Sequence, residues 1–195
     1  MPRTSAAVAA RTASRVLAVA TTLFSTRGFA DVSVDDVAQA AGVTRGAVYH
    51  HYDSKAGLFR AVAEHLQAGI AAELVAAADA SDSPAARLRA GSHAFLDAIT
   101  RGATSRVLLV DAPAALGWQE WRRIDAERSE VHLRDALGDV LAESGSDSSL
   151  LDALTVQLSG AMNDAALWIA QHDDPTIARP LAHAALDRLL DAVTV

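Results

Sequence analysis

Thr44, Arg45, Gly46, Tyr49 and His50 place a hydroxyl, a guanidinium, a bare backbone position, a phenol and an imidazole within seven residues. On one helix face these groups suit nucleic-acid recognition better than bond making. Arg and His reach acceptors on base edges, and an aromatic ring meets thymine methyls. A Thr hydroxyl or a Lys ammonium instead meets phosphate oxygens and fixes register. The same stretch has almost no long acidic side chain to repel a phosphate. Lys55 is the only Lys in the chain and stands at the start of a helix. A cation is unfavourable there, but a phosphate would meet both the Lys and the free backbone N–H groups.

Two short helices must position these groups. Val34 to Tyr52 reads VDDVAQAAGVTRGAVYHHY. Val34, Val37, Ala38 and Ala41 follow i, i+3, i+4, i+7 and form one apolar face. Ser33 before them and Asp36 three residues on have capping-box spacing. Gly42 suits a turn with positive φ. Thr44 caps the second helix, and Val43 and Val48 have hydrophobic-staple spacing. Val48 and Tyr52 then face inward, leaving Thr44, Arg45, Gly46, Tyr49 and His50 outward. Gly46 costs a helix about 1 kcal/mol relative to Ala, and close approach of the backbone to DNA would account for it. This is the form of a helix-turn-helix.

The run from Gly28-Phe29 through Ser33–Ala38, Ala40–Thr44, Gly46, Tyr49, His51-Tyr52 and Ser54-Lys55 to Leu58 resembles the N-terminal domain of TetR/AcrR-type transcriptional regulators. The resemblance covers residues 10–60, departing at Val48, where larger side chains are common, and at His50, an added His. It implies an all-α, homodimeric regulator: three N-terminal helices bind a palindromic double-stranded DNA operator, and a larger helical domain binds a small effector and dimerises. The implied DNA-binding residues are Ser33, Thr44, Arg45, Gly46, Tyr49, His50, His51, Tyr52 and Lys55, the last three holding or neighbouring the backbone. The expected division is residues 1–53 for DNA and 54–195 for effector and dimer. A repressor released by its effector is the expected mode.

Composition bounds the alternatives. The net charge of −7 looks wrong for a DNA binder until it is divided. Residues 1–55 carry six basic and four acidic groups, giving +2; the rest carry 11 basic and 20 acidic groups, giving −9. A modestly basic head on an acidic body fits DNA contact by one end. The chain has 195 residues, 51% hydrophobic, and no Cys. Disulfides, thiol chemistry and Cys-based zinc sites are therefore excluded. Arg11 and Arg15 interrupt the N-terminal Ala run, so neither a signal peptide nor a membrane span is expected, and a cytoplasmic protein fits. GxSxG, P-loop, GxGxxG and HExxH patterns are absent, so no enzyme, cofactor or metal site is expected. Adjacent His50 and His51 point about 100° apart on a helix, and the other His are scattered.

Beyond the motif, Ala6–Thr26 reads as one helix and Ser54 to about Ala78 as a longer one, the natural link from head to body. Asp79–Pro84 breaks the chain. Pro84–Thr100 is helical, Asp111-Ala-Pro113 is expected to interrupt the next segment, and Trp118–Glu143 is amphipathic. Leu150–Gln171 and a last helix from Pro175 carry wide apolar faces. On them Leu151, Leu154, Leu158, Ala161, Ala165, Leu181, Ala185 and Leu189 are the expected dimer interface, as a four-helix bundle. A pocket in the body is expected among Phe95, Ile99, Val110, Leu116, Trp118, Trp121, Arg122, His132, Asn163 and Trp168. Ordinary core packing is the competing reading for each. The Trp-rich segment favours a hydrophobic or aromatic effector, and the acidity of the body disfavours a strongly anionic one.

Overall fold

The computed structural model describes residues 2–194. It contains helices α1 (Pro2–Arg27), α2 (Val34–Ala41), α3 (Arg45–Tyr52), α4 (Lys55–Asp79) and α5 (Pro84–Ile99). These are followed by α6 (Thr104–Arg106), α7 (Ala112–Leu116), α8 (Trp118–Asp125), α9 (Val131–Ser144), α10 (Leu151–Gln171) and α11 (Pro175–Val193). Among the described residues there is no strand.

The local signals in the head act as their chemistry dictates. Ser33 Oγ accepts the Asp36 N–H at 3.1 Å, and Asp36 Oδ2 accepts the Ser33 N–H at 2.8 Å, closing the capping box. These bonds from Ser33 hold the Asp36 carboxyl below its ordinary pKa. Gly42 ends α2 at φ +63°, and Thr44 Oγ1 accepts the Ala47 N–H. Ser54 caps α4 through the Gly57 N–H at 2.9 Å. A Cβ at Gly57 would collide with the Tyr52 carbonyl oxygen. The α3–α4 corner, with Asp53 at φ 60°, therefore requires a glycine that the sequence pattern does not single out.

The apolar residues of α1 through α11 form one continuous buried cluster, from Val16 to Leu190. Phe59 of α4 packs against Phe24 at 5.0 Å and Phe29 at 4.8 Å, where head meets body. Ala6–Arg27 is long and apolar enough to cross a membrane by length and composition alone. Its fully buried Val16, Ala20 and Phe24 belong to this cluster, so the helix serves as part of the head's core.

The expected break at Asp111–Pro113 is not a break. α6 and α7 are joined through a π-helical turn, Val107–Asp111, in which the Ala112 N–H reaches the Val107 carbonyl. The widened turn lets Pro113 enter at the first positions of α7, where its missing N–H costs least. A second π turn, Ala126–Glu130, lies between α8 and α9, so the expected amphipathic helix is continuous but widened once. α5 and α11 are fastened by Arg89 to Asp187 and Asp191, and by Arg179 to Asp97. His93 and His183 stack there, with Nδ1 atoms 2.7 Å apart. Each outer Nε2 lies against a carboxylate, Asp187 and Asp97 respectively. Among the described residues no group of three or more His, Cys, Asp or Glu is placed to hold a metal.

Candidate nucleic-acid interface and body cavity

α3 presents a polar edge outward. Thr44, Arg45, Gly46 and His50 are exposed, Tyr49 is half-buried, and Val48 is buried. Arg45 bonds Asp35 at 2.9 Å and the Tyr49 hydroxyl at 3.2 Å. The guanidinium is thus held over the Tyr49 ring. A Cβ at Gly46 would meet only the Thr44 hydroxyl, at 3.9 Å. Nothing within the protein requires glycine there, in contrast with Gly57.

The expected backbone-holding residues divide. Lys55 Nζ sits 4.3 Å over the Phe29 ring and 3.4 Å from the Ala30 carbonyl, beside Ser33. The ring and the carbonyl brace the side chain, which stays half-buried. His51 is half-buried and edges against both neighbouring rings. Tyr52 is otherwise committed: its hydroxyl donates to the Ala13 carbonyl of α1 at 2.8 Å. It positions α3 on α1, and burial pushes its phenol pKa up.

The head is tied directly to the body. Arg106 Nη2 donates to the Phe24 and Ser25 carbonyls at 2.9 and 3.1 Å, in the last turn of α1. Asp111 Oδ2 accepts the Phe29 N–H at 3.3 Å. A cation at the last carbonyls of a helix meets the negative end of its dipole. Both tethers arise from the α6–α7 segment and its π turn.

In the body a cavity of about 370 Å³ lies between α4, α5, α9 and α10. Leu74, Leu88, Phe95, Leu133 and Met162 give it apolar lining; Asp125, Ser129 and Glu130, joined through Gln67 and Arg122, give a polar patch, and Ser92 and Ser159 also line it. Of the sequence-predicted pocket residues, Phe95 and His132 line it. Ile99 is fully buried core, and Trp121 is nearly so, packed 4.7 Å from Trp118. Trp118 and Val110 are exposed and Leu116 is half-buried against the core cluster. Arg122 and the buried Asn163 stand behind the polar wall, close to Asp125.

The pattern of apolar residues hides the polar patch of this cavity. Gln67 is 1% exposed. Its Nε2 donates to Asp125 Oδ1 at 3.2 Å, and its Oε1 accepts the Ser129 hydroxyl at 2.7 Å. Arg122 donates to Asp125 at 3.1 Å and to Glu130 at 2.8 Å. Burial dominates the ionisation of Asp125 and raises its pKa to about 6 against the pull of Arg122. Polar residues standing in an apolar register were the available signal. Gln67 continues the Ala63–Ile70–Leu74 stripe, and Ser92 the Leu88–Phe95–Ile99 stripe.

α10 and α11 form an exposed apolar trough that includes Ala161, Ala165, Trp168, Leu181, Ala185 and Leu189. Leu181, Leu189 and Trp168 are 56%, 46% and 45% exposed. Trp168, expected at the pocket, belongs to this face. Leu158 is buried, and Leu151 and Leu154 pack half-buried against the chain's own core.

Residues 16–62 match the family model described as bacterial regulatory proteins, tetR family, and residues 85–193 match that of the tetracyclin repressor-like C-terminal domain. The chain belongs to the TetR family of transcriptional regulators. A TetR-family regulator from Pectobacterium atrosepticum superposes with a TM-score of 0.77 at 32% identity, over 97% of each chain. The structure of SCO4454 from Streptomyces coelicolor shares the fold, with a TM-score of 0.74 and 24% identity over 100% of this chain and 97% of that one. Among curated relatives, the regulator SrpR of Pseudomonas putida is 42% identical over 62 residues, 32% of this chain and 29% of its own length. AcrR of Shigella flexneri is 40% identical over 70 residues, 36% of this chain and 33% of its own. These curated matches thus span about a third of each relative. The named relatives are regulators, not enzymes.

Proposed function

We propose that this TetR-family regulator acts as a cytoplasmic homodimeric repressor, binding a palindromic operator and released by a small molecule in the body cavity. On this reading residues 1–53 bind DNA and residues 54–195 bind effector and dimerise. The observation that carries it is the exposed edge of α3, where Thr44, Arg45, Gly46 and His50 stand clear of the fold. The apolar trough of α10 and α11 closes against its own copy and gives the two-fold axis that a palindrome needs. The two α3 helices then lie about 34–36 Å apart, one DNA turn.

An effector releases DNA only as far as it discriminates between two conformations. The coupling runs through two routes. α4 begins beside α3 and ends at the cavity, where Leu74 lines the wall. The Arg106 and Asp111 tethers carry movement of the α6–α7 segment to the end of α1. Footprinting on the intergenic DNA beside the protein's own gene tests the proposal. Two protected half-sites related by a dyad are expected; a single asymmetric footprint, or none, would contradict it.

A further inference from the structure

Resting on the reading of the body cavity as an effector site, we propose that its occupant is an amphiphilic organic cation. It would have a compact apolar body and one protonated amine, directed at the wall formed by Asp125, Glu130 and Ser92.

The first argument is charge balance. Arg122 faces two carboxylates, Asp125 and Glu130. The three side chains are 27%, 3% and 14% exposed. One guanidinium neutralises one carboxylate, and a negative charge is left over at the cavity wall. A buried charge lacking a counter-ion is strongly disfavoured, so the site calls for a proton or a cation.

The second argument is independent of charge. Ser92 is 4% exposed and lines the cavity, and its Oγ has no hydrogen-bond partner. Carboxylates accept, and a hydroxyl can do so. An ammonium only donates, so its hydrogens match what these groups leave open.

The remaining features set the rest of the ligand. Leu74, Leu88, Phe95, Leu133 and Met162 require an apolar body. A volume of about 370 Å³ is near the lower end for small-molecule sites, which favours a compact one. Asp79, Asp135 and Asp139 also line the cavity, against Arg87 and His132, so the approach path attracts cations and repels anions.

Three probes with one adamantyl body and different heads test the inference on the full-length protein at neutral pH: 1-aminoadamantane, 1-adamantanol and adamantane-1-carboxylate. Calorimetry should find the amine bound about tenfold or more tighter than the alcohol, a gap of about 1.4 kcal/mol, with the carboxylate weakest. Asp125→Asn should collapse the amine's advantage, and Glu130→Gln should reduce it if the first variant folds poorly. The inference is overturned if no probe binds, if the alcohol or carboxylate matches the amine, or if the advantage survives both substitutions. The effector reading is judged separately. An alcohol that binds, is blocked by Ala136→Trp and releases DNA would leave that reading standing and remove the cation. An amine that binds with the expected preference yet leaves DNA affinity unchanged would do the reverse.

Discussion

Replacing Asp125 by Asn should stabilise the protein at neutral pH, although it removes a partner of Arg122. Asp125 is 2% exposed, and its pKa is raised from 3.8 to about 6, chiefly by burial. The folded state therefore holds a proton here that the unfolded chain has already released between about pH 4 and 6. A group that binds more protons when folded lowers stability as pH rises through that window. The shift is about two pKa units at 1.36 kcal/mol each, so the ionised side chain costs about 3 kcal/mol above pH 7. Asn resembles the protonated carboxyl and avoids most of that cost. With its amide flipped, Gln67 accepts from Asn Nδ2 and donates to the Ser129 hydroxyl, so both of its contacts are kept. In a chain of this length about 3 kcal/mol corresponds to roughly 6–12 °C, an upper bound because Arg122 keeps only Glu130. Thermal melts of both proteins from pH 4 to 8 provide the assay. The difference in Tm should be small near pH 4, grow through pH 6 and level off above 7. Exposed carboxylates whose pKa values are lowered by partners, such as Asp36 and Asp187, act alike in both proteins and cancel. A variant less stable than wild type at pH 7.5 by a pH-independent margin would show that the Arg122 ion pair outweighs burial.

Gly57→Ala should cost about 2–3 kcal/mol or prevent folding, since backbone must move to clear the Tyr52 carbonyl; urea unfolding measures it, with Gly46→Ala as the contrast that raises stability by up to about 1 kcal/mol. Ser33→Ala opens the capping box of α2 and should cost about 1 kcal/mol in the same assay. Arg106→Ala should weaken operator binding several-fold, seen by anisotropy, although Arg106 lies in the body and reaches DNA only through α1. Unchanged affinity would leave α4 and the Asp111–Phe29 contact to carry the coupling.

The head was legible because its chemistry is local. Ser33 with Asp36, Gly42, and Thr44 with Val48 each act within a few residues, so spacing alone located them. The α3–α4 corner was not, because Gly57 is fixed by a carbonyl on the preceding helix, a contact that helical periodicity does not report. In the body, periodicity located α4, α5, α10 and α11 but could not say which neighbours their faces meet. Leu158 and Trp168 lie on one helix, yet Leu158 turns to the chain's own core and Trp168 to the exposed trough. Pro113 read as a stop because an α-helix cannot accommodate it cheaply, whereas a π turn one step earlier can. Gln67, Asp125 and Ser129 lie up to 62 residues apart in sequence and meet only in the fold.

The central claim is that the outward edge of α3 reads DNA. Fluorescence anisotropy of the full-length protein against its own intergenic DNA, repeated across salt concentrations, tests it most directly. Tight, sequence-selective binding that weakens steeply with salt, with selectivity lost in Tyr49→Ala and affinity reduced in Lys55→Ala, is the expected result. Weak binding that is indifferent to sequence and unchanged by either substitution would contradict it.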